Sequence, residues 1–290
     1  MTAELSQLTD GVVTLRPDSE GTFAVEVRGR IVGSVRLRDI GENTGEIAYA
    51  LDSAYRGQGY ATRAVRLLVE YAFGDLGLGR VQARVPEKDP PALRVARRAG
   101  LRNEGVVRVP RPAGDAYLLL GRLHDDPAPT EHGGFRALLN SFLPRKRVIA
   151  QALVRDESGR VLLCHPTYKD DWDLPGGVVE VRESPREAAS REVLEELALP
   201  LPVGELVLTD WLPPWGGWDD ALCLVFDGGV HPSSILDGAV LQAREIRAAA
   251  FCSTDDVHAR VADFTARRVV AALASLGRGG ASFTESGRTT

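Results

Sequence analysis

The sequence predicts an α/β protein built as two domains in tandem. Strand-like and helix-like periodicities alternate both before and after residue 125, the pattern of sheets flanked by helices. Between them lies Asp125-Asp126-Pro127-Ala128-Pro129-Thr130-Glu131-His132-Gly133-Gly134, polar and rich in Pro and Gly. At 290 residues the chain is long enough for two cores of ordinary size. These boundaries give a first domain over residues 1–124, a linker over 125–144, a second domain over 145–277 and a tail over 278–290. The tail has little to bury and is expected to be disordered.

In the first domain, strands are expected at residues 12–16, 23–27, 46–52 and 81–85, with a helix running from about residue 60 to 73. In the linker, Phe135, Leu138, Leu139 and Phe142 recur at helical spacing, suited to docking one domain on the other. The second domain opens with apolar runs at 148–154 and 161–164, joined by Asp156-Glu157-Ser158-Gly159 as a hairpin turn. Ser184, Pro185 and Glu187 then spell a helix start, with Ser as N-cap, Pro at the first position and Glu closing a capping box. Further strands are expected at 221–226 and 246–251, and a closing amphipathic helix over 259–276 carries Val261, Phe264, Val269, Ala272 and Leu276.

Composition narrows the function classes. No secretory h-region opens the chain and no apolar run approaches a membrane span, which predicts cytoplasmic residence and no membrane partner. Cys164, Cys223 and Cys252 are odd in number and widely spaced, which argues against a disulfide framework or a zinc site. Residues 1–124 carry a net charge of +3 and residues 125–290 a net −8. The positive balance is too small for nucleic-acid binding, though it does not oppose an anionic cofactor.

The helix that starts at residue 185 carries the chemistry of the second domain. Glu192, Glu195 and Glu196 project from one side of it, together with Ala188 and Leu199. Like charges at this spacing repel by a few tenths of a kcal/mol per pair, and a hard divalent ion with oxygen ligands would reverse that sign. Such a cluster alone is most often a solvated acidic face. Here Leu174-Pro175-Gly176-Gly177 precedes it, a loop whose backbone can turn tightly and approach a phosphate. Gly177, Glu183, Arg191, Glu192, Glu195 and Glu196 stand at the spacing G-x5-E-x7-R-E-U-x-E-E-x-G-U, U being aliphatic. Six such matches occur by chance in about 10⁻⁷ of windows.

This segment resembles the signature of the Nudix hydrolases, with one departure, Ala198 where the family has Gly. The resemblance covers about residues 145–277 and implies an α/β/α sandwich that hydrolyses a nucleoside diphosphate linked to another moiety. It implies Mg²⁺ or Mn²⁺ held by Glu192, Glu195 and Glu196 with the carbonyl of Gly177, and Glu183 and Arg191 as the pair bracing loop against helix. Glu192 is the first choice for combined ligand and base, with Glu245, Asp219 and Asp220 as alternatives on later loops. Trp211, Trp215 and Trp218 form an aromatic loop beyond the helix, equally suited to stacking on a base and to packing.

The first domain carries a second pattern. Arg56-Gly57-Gln58-Gly59-Tyr60-Ala61 follows a strand and opens a helix, which aims backbone N–H groups and a helix N-terminus at an anion. This is similar to the acyl-CoA loop of the GNAT acetyltransferases, and implies a mixed sheet with helices that binds the pyrophosphate of acetyl-CoA through residues 56–61. Three departures argue against efficient transfer. No room is left between the first two strands for the helices that build the family's acceptor wall, Asp89 stands where many members have Asn, and Ala96 stands where a Tyr acid often sits. Glu46 is the remaining candidate base, acting through a water.

Three functional readings follow: a metal-dependent hydrolase with an acyl-CoA-binding domain ahead of it, a bifunctional acetyltransferase and hydrolase, and a non-enzymatic nucleotide or acyl-CoA sensor. The intact carboxylate cluster favours the first over the third, and the missing acceptor wall favours it over the second. Neither the substrate beyond its class nor the oligomeric state is legible.

Overall fold

The computed structural model describes residues 7–110 and 116–289. The chain forms two compact units, residues 1–144 and 145–290. In the first, hairpins join β1 (Leu8–Thr9), β2 (Thr14–Ser19), β3 (Thr22–Val27), β4 (Arg30–Asp39) and β5 (Thr44–Leu51) into an antiparallel run. Then come α1 (Tyr60–Gly74), β6 (Arg80–Pro86), α2 (Pro90–Arg98), β7 (Arg102–Val107), β8 (Tyr117–Leu123) and α3 (His132–Phe142). The sheet order is β1-β2-β3-β4-β5-β6-β8-β7, with β6 parallel to β5. Alternate residues of each strand, among them Leu15, Phe23, Val25, Val35, Val81 and Leu120, face Val65, Leu68 and Ala72 of α1 and Ala96 of α2. Burial of Val65 and Leu68 contributes roughly 1.5–3 kcal/mol each.

Residues 125–144, expected as a linker, belong instead to the first unit. Leu138 of α3 is buried, Phe142 packs against that unit's core beneath the Arg97 guanidinium, and Ser141 Oγ accepts the Asn103 N–H at 3.1 Å. The apolar repeat therefore covers the sheet at β7, with Phe135 and Leu139 left exposed.

The second unit runs β9 (Arg147–Asp156), β10 (Val161–Pro166), β11 (Gly176–Val178), α4 (Pro185–Leu197), β12 (Leu206–Leu212), β13 (Ala221–His231), β14 (Ile246–Cys252), α5 (Thr254–Arg260), α6 (Asp263–Ser275) and β15 (Ser282–Glu285). Its mixed sheet has the order β14-β10-β9-β13-β12-β15, with β11 paired to β9. Ala188, Ala189, Val193 and Leu197 of α4 pack on one face, against Ala150, Ala152 and Leu162. Val257, Val269 and Ala272 of α5 and α6 pack on the other, against Leu153, Leu163 and Val225. This is an α/β/α sandwich. All three cysteines are free and buried. Among the described residues no helix is long and apolar enough to cross a membrane.

Two further expectations are corrected. The closing helix is two helices, because Val261 leaves the helical path to bridge Trp172 and is buried there. The tail is not disordered where it is described: β15 pairs in parallel with β12, and Thr284 is fully buried. Thr290 lies outside the described residues.

Candidate functional site

The helix start spelled by the sequence forms as written. Ser184 Oγ accepts the Glu187 N–H and the Glu187 carboxylate accepts the Ser184 N–H, so α4 begins at Pro185 with its first turn satisfied. From its middle to its last turn the helix meets the loop that runs into β11. A Cβ on Gly177 would fall 2.5 Å from Oε1 of Glu192, so only glycine allows this approach. The Gly176 N–H donates to Glu196 Oε2 at 3.1 Å.

Arg191 braces the assembly. Its Nε and Nη2 donate to the two oxygens of Glu183 at 2.7 and 3.0 Å, and its Nη1 to Glu192 at 3.0 Å and Glu195 at 2.8 Å. The bidentate bonds from Arg191 hold the Glu183 carboxyl down at about 2, and the same bonds raise the guanidinium further. Glu196 is buried, and burial pushes its carboxyl up to about 8 against the opposing Gly176 N–H. Burial also raises Glu192, in spite of Arg191. Glu195 is exposed.

Two more carboxylates belong to this neighbourhood. The charge of Glu245 raises both Glu192 and Glu196, and that of Asp173 raises Glu196. Burial would push Asp173 up as well, but Lys169 Nζ at 2.7 Å and the charge of Arg268 hold it below the usual range. In the sequence Glu245 is one alternative of three, and Asp173 carries no signal beyond directly preceding the Leu174-Pro175-Gly176-Gly177 loop. Asp220 is engaged elsewhere, and Asp219 is held through its backbone. The Asp219 carbonyl accepts from Arg147, and the Asp220 carboxylate from Lys146 and from Trp211 Nε1. Trp215 meets Phe264 edge-on and Trp218 lies beneath the Arg147 guanidinium, each more than half exposed.

Among the described residues no three acidic, imidazole or thiol groups are gathered closely enough to enclose an ion. Arg191 holds Glu192 and Glu195 in this arrangement. The donor set nevertheless suits a hard divalent cation, being oxygen throughout, and among the described residues the buried Glu196 oxygens have a single backbone N–H as partner.

The departure at Ala198 has a local meaning. It caps α4 in the left-handed conformation, φ 55°, which a Cβ disfavours by about 1–2 kcal/mol. Ala198→Gly is expected to stabilise the unit by about 1 kcal/mol; an unchanged denaturant midpoint would show that Ala198 carries no strain.

In the first unit, β5 and β6 pair only over Thr44, Gly45 and Glu46, and beyond them the sheet opens. The 56–61 loop follows the end of β5 at that opening. Gly59, φ 84°, precedes α1 without a side-chain cap, leaving the first-turn N–H groups for another acceptor. Arg56 shapes this loop, its Nε donating to the Leu51 carbonyl at 2.9 Å, and Gln58 donates to the Ala54 carbonyl. Tyr60 and Ala61 form the first turn of α1. Asp89 caps α2 by accepting the Ala92 N–H, Ala96 is buried in the core, and Glu46 is ion-paired to both Arg38 and Arg84.

Residues 4–102 match the family model described as acetyltransferase (GNAT) domain, and residues 145–273 that of the NUDIX domain. A MutT-like protein of Streptomyces ambofaciens is 31% identical over 138 residues, which cover 46% of this chain and 81% of that protein. The Probable N-acetyltransferase YjcK of Bacillus subtilis (strain 168) is 36% identical over 107 residues, 35% of this chain and 59% of that protein. The chain spans about half the length of the curated acetyltransferases it matches. The crystal structure of MutT protein from Methanosarcina mazei Go1 aligns at 27% identity and a TM-score of 0.34, covering 39% of this chain and 81% of that one.

Proposed function

Because the chain belongs to the Nudix family through residues 145–273 and carries a GNAT acetyltransferase domain over residues 4–102, we propose that its second unit is a metal-dependent hydrolase of a nucleoside diphosphate linked to another moiety. The observation that carries this reading is the approach of the Gly177 loop to the carboxylates of α4, braced by Arg191. Glu192, Glu195, Glu196 and the Gly177 carbonyl would hold Mg²⁺ or Mn²⁺. When bound, such an ion neutralises the diphosphate and polarises a water for in-line attack at phosphorus. Glu192, half-buried and raised by that burial, is the residue we assign to take the proton from the water. Glu245 is the alternative, since its charge reaches both Glu192 and Glu196. Glu183 and Arg191 act as positioning residues. The test is a panel of dinucleotides, nucleotide sugars and nucleoside triphosphates, assayed with Mg²⁺ and again with excess chelator. Turnover of one class that chelator abolishes is expected; turnover unaffected by chelator sinks the metal assignment.

For the first unit we assign residues 56–61 to the pyrophosphate of acetyl-CoA, supported by the uncapped start of α1 at the opening between β5 and β6. Efficient transfer is not supported: Glu46 is held by two arginines, Ala96 is core, and a short turn joins β2 to β3. At Gly59 a Cβ would enter open space, the space the phosphates need, and the positive φ adds strain. Gly59→Leu is therefore expected to weaken acetyl-CoA binding at least about tenfold, on the scale of losing one or two charge-assisted hydrogen bonds. Calorimetry decides it, and equal affinity of variant and parent would remove the assignment. Rapid acetylation of a defined amine would favour the bifunctional reading.

A further inference from the structure

Among the described residues, the helices of the first unit leave one face of its sheet uncovered. Both α1 and α2 pack on the face that carries Leu15, Phe23, Val35, Ile47 and Val85. On the opposite face, beside the opening between β5 and β6, the register sets Arg38 across from Glu46, and Arg36 across from the exposed Ala48. Glu46 receives Arg38 Nη2 and Arg84 Nε, both at 2.8 Å, so one carboxylate answers two guanidinium groups. Arg36 is exposed and has no ion-pair partner among the described residues. This patch therefore carries an uncompensated positive charge. Arg38 and Arg84 are also about half exposed, and Arg84 is steadied by lying over the Tyr117 ring at 5.3 Å.

We propose that this arginine-bearing face is a docking surface for an acidic polypeptide segment. The charge selects the sign of the partner, and guanidinium groups bind carboxylates through paired hydrogen bonds. The shape selects its size. Small ligands are taken by concave sites that bury most of their surface, whereas this sheet face is exposed at Arg36 and Ala48 and the β2–β3 connection is a short turn. An extended chain with spaced carboxylates can reach Arg36, Arg38 and Arg84 together. The surface needs no acyl-CoA, so it stands or falls apart from the cofactor assignment.

The test uses the full chain and three labelled peptides of equal length, one glutamate-rich, one lysine-rich and one neutral, followed by fluorescence anisotropy at low and high salt. The glutamate-rich peptide is expected to bind, and to weaken with salt because the surface is exposed. Arg36→Glu should weaken it about tenfold and Arg84→Gln about threefold, the scale of exposed charge pairs, while Arg36→Lys, which keeps the charge but loses the paired bonds, weakens it less than Arg36→Glu. Unchanged melting of each variant excludes unfolding. Equal binding of the lysine-rich peptide, or full affinity in Arg36→Glu, overturns the proposal. So does a parental dimer that Arg36→Glu dissociates, which would assign the face to a second copy of this chain.

Discussion

Replacing Glu196 by Gln is expected to lower hydrolysis at least about 100-fold, the scale of a lost electrostatic stabiliser, while the domain stays folded. The buried carboxylate has the Gly176 N–H as its hydrogen-bond partner, and a Gln carbonyl can accept that same bond. The variant thus removes a charge without removing a contact. Glu195→Gln should act in the same direction, with no cost in folding because that side chain is exposed. Steady-state rates with Mg²⁺ on whichever substrate the panel identifies decide the matter; parental rates in both variants would mean that these carboxylates are not ligands.

The same substitution has a sign in pH. Burial raises Glu196 to about 8, above its ordinary value of 4.5, so between those values the folded protein holds a proton that the unfolded chain has released. Stability from this group is therefore present below pH 4.5 and lost as pH rises through about 8. In chelator-treated protein, Glu196→Gln should flatten that decline. A parallel decline in parent and variant would assign it to other groups.

Ending the chain after Gly277 is expected to cost about 3–6 kcal/mol, a large share of the roughly 5–15 kcal/mol that holds an ordinary domain folded. Asp210 is fully buried and accepts from Arg268 Nε at 2.9 Å, Thr284 Oγ1 at 2.8 Å and the Gly287 N–H at 2.8 Å. Truncation removes two of these three donors from a buried carboxylate, each worth about 1.5–3 kcal/mol, and strips β15 from the edge of the sheet. A piece beginning at Arg145 and running to the last residue should fold and keep its hydrolysis, as residues 145–290 form a compact unit. Denaturant titration of the two pieces side by side tests both statements. Equal stability of the shorter piece would show that the tail is a passive cover.

The sequence by itself determined what depends on near neighbours along the chain. The start of α4 is written within four residues, because a capping box joins a side chain to a backbone three positions away. The carboxylates of α4 follow from helical spacing, and the 56–61 loop from its strand before and helix after. The left-handed cap at Ala198 stands where the family pattern asks for Gly, so even the departure marked a real backbone demand.

What only the tertiary structure decided depends on partners far apart in sequence. Residues 282–287 carry no apolar period, because polar bonds to Asp210, more than seventy positions away, hold them in place. The α3 segment has such a period, but a period alone does not say which core it covers. The break at Val261 follows from its bridge to Trp172, invisible in a run that reads as one amphipathic helix. Among three candidate carboxylates, Glu245 lies where its charge is felt by Glu192 and Glu196, while the Asp220 carboxylate meets Lys146 and Trp211. Local hydrogen bonds and side-chain periodicity leave their mark in the order of residues; the pairing of buried polar groups across the sheet does not, since any donor brought to the right point in space can satisfy them.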